Sequence, residues 1–381
     1  MPRKDENPYT LHMIRLFLRA ETRIINELGR LRAKGLIDYH AEAALGRVQE
    51  ILKSLKADGW EYVPKMVETE FYVHHPEQRR IPWTGLSEPV EKHVRGYENA
   101  KMTGTQTRVA EILTRQLMLD IDEACDTAEK NLENIILGRR KDDAARHIGL
   151  KYALEQEATG LKLPELTQNF LNELAIEGVS CFTDKAGREW RLSTYGAMVL
   201  RTVTAQAQVL AVLTQDPGRD LYQISTIGTT CPICAPLEGR VYSRSGQDPD
   251  FPPLAWAFGK IDPDGPDTLE NTWLNIHPNC LHSIFPFTTA GKTEAEIERI
   301  KRFSSFTLNP PTRDPRSEAQ IQAYRDKQRA RAKHNRDVEQ FEKYRAAIPD
   351  ICPKSFSTFM KHKTLRDDKY KAWVRAFKAS A

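Results

Sequence analysis

Five side chains able to hold a soft metal ion fall in two short clusters of a chain that has six cysteines in 381 residues. Cys231-Pro-Ile-Cys234 offers two thiols from one turn, and His277-Pro-Asn-Cys280-Leu-His282 offers two imidazoles and a third thiol. Two residues between sulfurs let a tight turn aim both thiolates at one point, and Zn2+ takes four such donors in a tetrahedral structural site. The pattern predicts a zinc clasp drawn from Cys231, Cys234, His277, Cys280 and His282, four of the five, with the surplus histidine left as an outer partner. Cys231, Cys234, Cys280 and His282 are the favoured set, because His277-Pro278 already has a turn to build. A redox pair or a set of unligated loop thiols is the competing reading, and the second cluster weighs against it.

Catalysis is harder to place, and no catalytic residue is assigned. A zinc-dependent hydrolase or nuclease would need three protein ligands plus water, with Glu238 or the spare histidine as base. Two thiolates lower the Lewis acidity of the metal, and no acid/base pair stands at a defined spacing. His40-Ala41-Glu42 and Cys231-x2-Cys234 superficially match a deaminase signature, but Thr230 replaces its proline and the halves lie far apart in the chain. On a helical face with Met198 and Thr202, Arg201 is a candidate structural anchor or anion-binding residue. His74 and His75, beside Pro76, read as surface histidines in a loop.

The runs Asp220-Leu-Tyr-Gln-Ile-Ser, Thr230-Cys-Pro-Ile-Cys-Ala-Pro-Leu-Glu-Gly-Arg-Val-Tyr-Ser, Phe251-Pro-Pro-Leu and His277-Pro-Asn-Cys-Leu-His resemble the minor capsid protein 2 family of tailed bacteriophages. That family is similar to the phage Mu F-like head morphogenesis proteins, whose cores carry a comparable pair of Cys/His clusters. Phe182-Thr-Asp-Lys-Ala-Gly-Arg-Glu-Trp-Arg-Leu-Ser-Thr-Tyr and Met198-Val-Leu-Arg-Thr resemble the family's hairpin and following helix. The resemblance is specific over residues 165–290; beyond them only Gln322 to Arg329 is familiar. It implies a structural part of the virion head, inside the head and associated with the portal or major capsid protein. Leu281 stands where a basic residue is common in the family, so no charge-based role is carried over for that loop.

Net charge is only +4, but it is unevenly spread. Residues 291–381 hold 22 Lys and Arg against 12 Asp and Glu, a surplus of +10, while the rest of the chain sums to −6. Such a basic tail suits contact with packaged double-stranded DNA or an acidic protein surface, although Asp326, Asp337, Glu339 and Glu342 interrupt it as they would a solvated helix. No unbroken apolar run approaches about 18 residues, so no membrane span is expected. The charged opening Met-Pro-Arg-Lys-Asp-Glu lacks a signal-peptide core, which points to synthesis in a host cytoplasm. Cys125 and Cys181 read as buried packing residues and Cys352 as a loop thiol.

These features predict an α+β chain in three parts: a helical assembly or docking region over 1–160, a zinc-stapled Mu F-like module with short antiparallel strands over 161–290, and a basic helical arm over 291–381. Apolar periodicity marks helices at 9–34, 39–56, 60–72, 105–137 and 142–156, then at 165–176 and 193–214, the last capped by Ser193. A hairpin is expected over 179–192, and strands at 221–226, 240–242 and 284–287. The interval 244–270, dense in Asp, Pro and Gly, is long for a structureless loop, and an ion holding its two ends would offset much of its closure entropy. Helices follow at 294–303, 317–348 and 361–378. Trp373 and Phe377 of the last one either pack back on the arm, the preferred reading, or meet nucleic acid.

Overall fold

The computed structural model describes residues 7–33, 38–73, 102–136, 180–183, 189–348 and 350–380. The architecture is α+β, helical towards both ends with a small antiparallel sheet in the central part. The expected helices at 142–156 and 165–176, and the loop carrying His74 and His75, lie outside the described residues. The chain divides into two compact units, each assembled from several segments.

One unit comprises Met1–Met13, Trp60–Met118 and Met198–Gln328. Its core is the face of helix α4 (Leu192–Gln215) that carries Val209, Val212 and Leu213, laid on a three-stranded sheet. The sheet runs in the order β4 (Val241–Ser243), β3 (Leu221–Ile224), β5 (Ile284–Pro286), with β3 antiparallel to both neighbours. Tyr222, Ile224, Tyr242 and Ile284 meet the helix. That use explains why α4 alone among the described helices is long and apolar enough to cross a membrane: most of its apolar window is buried in the protein.

The interval 244–270 is not structureless. It holds a short helix α5 (Ala255–Phe258) and isolated bridges at Ser243↔Pro253 and Lys260↔Thr272. Asp220 accepts the Ser245 N–H and the Ser243 hydroxyl, and Asn271 fastens Asp262 and Pro266. Its closure is therefore shared between these local bonds and whatever joins its ends. Helix α6 (Glu294–Ser304) starts at a capping box in which Thr293 and Glu296 satisfy each other's backbone N–H. The arginine that closes this part of the unit is Arg240. It is 3% exposed, its Nε donates to Pro236 O at 2.6 Å, and its guanidinium reaches the carbonyls of Ser304 and Asn309 while lying over Phe303 and Phe306. A buried cation without such partners would be strongly disfavoured.

The same unit holds the start of helix α1 (Pro8–Ala33) and the end of α2 (Asp38–Val73). Two separate helices were expected at 39–56 and 60–72, but α2 is continuous through Gly59 and Pro64. Val63, Met66 and Val67 are wholly buried, and this packing outweighs the hydrogen bond that Pro64 forfeits. Asn7 joins the two helices, donating to Met66 O and to the buried Glu70 carboxylate. Helix α3 (Gly104–Ile136) begins here too, behind reciprocal bonds between Thr103 and Gln106.

The other unit comprises Ile14–Gly59, Leu119–Ala197 and Arg329–Ala381. Strands β1 (Ser180–Thr183) and β2 (Glu189–Arg191) form the expected hairpin. Helix α4 starts at Leu192, one residue before the position expected to cap it, and the Ser193 N–H is taken by the fully buried Glu21 carboxylate, which also pairs with Arg191. Gly196 is required there, because any Cβ would enter the Phe17 ring.

Helix α7 (Glu318–Ala347) matches its expected span and stays largely exposed from Arg325 to Arg336. The single helix expected at 361–378 is instead a pair, α8 (Phe356–Leu365) and α9 (Asp368–Ser380). Arg366 turns the chain between them in the left-handed region at φ 49°, and Asp367 accepts the Tyr370 N–H to start α9. Trp373 stacks on Phe359 and Phe377 on Tyr344, so both aromatics pack inward, the preferred expectation.

Candidate metal centre

Strand β3 is the element that brings the two Cys/His clusters together. Its partner β4 leaves the first cluster and its partner β5 leaves the second, so both loops emerge at one end of a sheet held in register by Gln223↔Val241 and Ile224↔Ile284. Ser225 secures the second loop further, its N–H on Ser283 O and its hydroxyl accepting the Ser283 N–H.

The first loop is a tight knuckle. Ala235 N–H returns to Cys231 O, the Cys234 N–H points at Cys231 Sγ from 3.4 Å, and a turn of 3-10 helix (Ala235–Leu237) follows. Gly239 completes the turn into β4 at φ 71°, a conformation that glycine adopts at little cost. Arg316 braces the entry by donating to Thr230 O, and is itself held by Asp314. In the second knuckle Cys280 N–H bonds His277 O, and Asn279 takes a left-handed conformation that short polar side chains tolerate. The Asn279 N–H is received by the hydroxyl of Thr202 on α4. The sequence singles out Arg201; the structure puts the neighbouring Thr202 on the knuckle, and leaves Arg201 half-buried and outside the donor cluster.

The five predicted donors gather in two triads that share one thiol. Cys231, Cys234 and His277 form one group and Cys234, Cys280 and His282 a second, with the donor atoms of each group within 4.8 Å of one another and Cys234 common to both. Cys234 Sγ lies 3.8 Å from Cys280 Sγ, Cys231 Sγ 3.2 Å from His277 Nε2, and Cys280 Sγ 3.4 Å from His282 Nδ1. A tetrahedral zinc with Zn–S of about 2.3 Å and Zn–N of about 2.0 Å puts its donors roughly 3.5 to 3.8 Å apart. Within each triad the donors therefore suit the ion in both chemistry and spacing. Cys234, Cys280 and His282 are buried, while Cys231 and His277 are half-buried.

The cluster is also electrostatically prepared. A hydrogen bond from Cys234, helped by His277 and opposed by burial, pulls the Cys231 thiol down to about 3. Cys234 likewise, with His282, brings Cys280 to about 4, and Cys234 itself is pushed up by serving both neighbours. The bond to Cys231 raises His277 to about 9 against burial, and His282 is raised by Cys280 and Glu238, which outweigh its own burial. A divalent cation bound here would displace the proton that two thiolates share with the third thiol, and all three sulfurs would be free to ligate it. Away from the cluster, burial drives Cys125 and Cys352 up to about 12, the state of inert packing thiols.

Glu238 plays a part that spacing alone did not reveal. Its Oε1 accepts the Ile227 N–H at 2.9 Å and lies 2.6 Å from His282 Nε2, so the carboxylate of one knuckle reaches the imidazole of the other. The signal available in the sequence was its place four residues after Cys234, which could not reveal its partner 44 residues on.

No curated protein and no solved structure matches the chain. The family model for phage minor capsid protein 2 matches residues 87–348, most of the chain, including both knuckles, the sheet and all of α7. With that match over the very elements that build the cluster, the chain belongs to the phage minor capsid protein 2 family and is a structural component of a phage head.

Proposed function

We propose that this head component works from inside the particle, docked on the portal or on the inner face of the major capsid protein, with a zinc ion clasping its central module. The observation that carries the reading is a pair of donor triads, joined by Cys234, that two loops bring together at the end of one small sheet. When bound, the ion would supply a cross-link between the knuckles. Cys231, Cys234, His277, Cys280 and His282 are the residues that would hold it, four at a time. Thiolate-rich donors favour holding over activation, and Glu238, weighed as a base, is committed to His282 and Ile227.

The second partner in this proposal is packaged double-stranded DNA, met by the C-terminal helices. Their aromatics are spent on packing, whereas Lys354, Lys361, Arg366, Lys369, Arg375 and Lys378 are exposed and make no ion pair among the described residues. Exposed cations without acidic partners suit a phosphate backbone, which they would engage without reading sequence.

Cross-linking of intact heads, before and after DNA packaging, tests the proposal. Expected are links from this protein to the portal or inner shell in both states, and links from α8 and α9 to DNA only in full heads. Links confined to the outer shell surface, or no DNA links in full heads, would contradict the assignment to the interior or to DNA respectively.

A further inference from the structure

Two histidines compete for one place in a four-donor site, and they differ in what stands behind them. His282 is buried, 8% exposed, and presents Nδ1 to Cys280 while Nε2 faces Glu238. The Glu238 and His282 side chains are 12% and 5% exposed, so water competes little for their bond. Nε2 shares a proton with the Glu238 carboxylate at 2.6 Å, and Nδ1 is the nitrogen presented to the Cys280 sulfur, where an ion would take the place of its proton. His277 is more exposed and, among the described residues, is backed only by the carbonyl of the adjacent Pro278, at 2.7 Å from Nδ1.

We infer that the ion is held by Cys231, Cys234, Cys280 and His282 Nδ1, and that Glu238 is the positioning residue that fixes the His282 tautomer and ties the two knuckles together. This rests on the zinc-clasp reading above. His277 then serves as a hydrogen-bond partner at the Cys231 sulfur on the solvent side of the site. Because Glu238 also accepts the Ile227 N–H, the carboxylate is anchored to its own loop and carries that anchorage across to the second. Carboxylates behind ligating histidines typically contribute 10- to 100-fold in metal affinity.

The test is zinc affinity of the full-length chain by competition with a chromophoric chelator, together with the absorption spectrum of the Co(II)-substituted protein. Glu238→Leu is expected to weaken zinc about 10- to 100-fold, and Glu238→Gln, whose carbonyl still accepts the Nε2 proton, by less. His277→Ala should retain one zinc and an unaltered Co(II) spectrum, and His282→Ala should lose both. In a His282→Cys background a thiolate needs no tautomer set, so adding Glu238→Leu should cost nothing further. A penalty of the same size in that background, an affinity unchanged in Glu238→Leu, or a Co(II) spectrum altered by His277→Ala and not by His282→Ala would overturn the inference. Should Glu238→Leu fail to fold, Glu238→Gln and the two histidine variants still decide it. A wild-type chain that takes up no zinc at all would instead sink the clasp itself.

Discussion

The knuckle region and the C-terminal helices reach order by different means. The three strands beside the knuckles are three or four residues long, and each pairing fixes only three residue pairs. Strands so short are marginal on their own. Around them lie loops that send Leu254, Ala257 and Phe258 into the core and are otherwise held by polar bonds to Asp220, Asn271 and Arg240. The C-terminal helices instead converge on Phe359, which is fully buried and touches the rings of Phe341, Tyr344, Tyr370 and Trp373 at centroid distances of 5.5 to 5.9 Å. Ring pairs of this kind add about 0.5 to 1.5 kcal/mol each beyond the area they bury. One region has a reason to need a cross-link, and the other supplies its own.

That contrast fails if the aromatic cluster proves dispensable. Phe359→Ala is expected to remove about 3 to 5 kcal/mol from the C-terminal helices, read as a lower denaturation midpoint with bound metal unchanged. Loss of metal in that variant would mean the two regions do not stabilise themselves separately.

A smaller effect sharpens the contrast, because pH acts on the two units with opposite sign. Burial raises the Glu70 carboxyl to about 7 despite hydrogen bonds from Asn7 and Gln208. Between the ordinary carboxylate value and 7 the folded chain keeps a proton that the unfolded chain releases. Stability of that unit should therefore fall as pH rises through this window, by on the order of 3 kcal/mol. Asp337 runs the other way: burial opposes it, but Lys363 and then Lys333 hold its carboxyl below the ordinary value, so its contribution is present at neutral pH and lost as pH falls through the folded value. Denaturant titrations from pH 8 to pH 3 on the wild type and Glu70→Gln check both. The variant should be the more stable at pH 8 and equal at pH 4; a pH dependence identical in the two proteins would remove Glu70 as the cause.

Much of this was legible in local sequence. Helices α3, α6 and α7 start where Thr103-x2-Gln106, Thr293-x2-Glu296 and Ser317-x2-Gln320 close reciprocal caps, which are short-range signals. The grouping of the candidate donors was legible too, since thiols and imidazoles at knuckle spacing have few other uses. The break at Arg366 was not, because arginine gives no hint of a left-handed turn, and neither was the continuity of α2, where buried Val63, Met66 and Val67 override a glycine and a proline. Glu238, Thr202 and Arg316 act on residues 44, 77 and 86 positions away, and no local pattern encodes such contacts.

The direct measurement is the metal content of the purified full-length chain beside Cys234→Ser, the donor common to both groups. One zinc per wild-type chain, lost in the variant together with the order of the central sheet and not of the C-terminal helices, is the predicted result. Wild-type protein free of bound divalent metal, or a Cys234→Ser chain that keeps its zinc, would contradict the clasp.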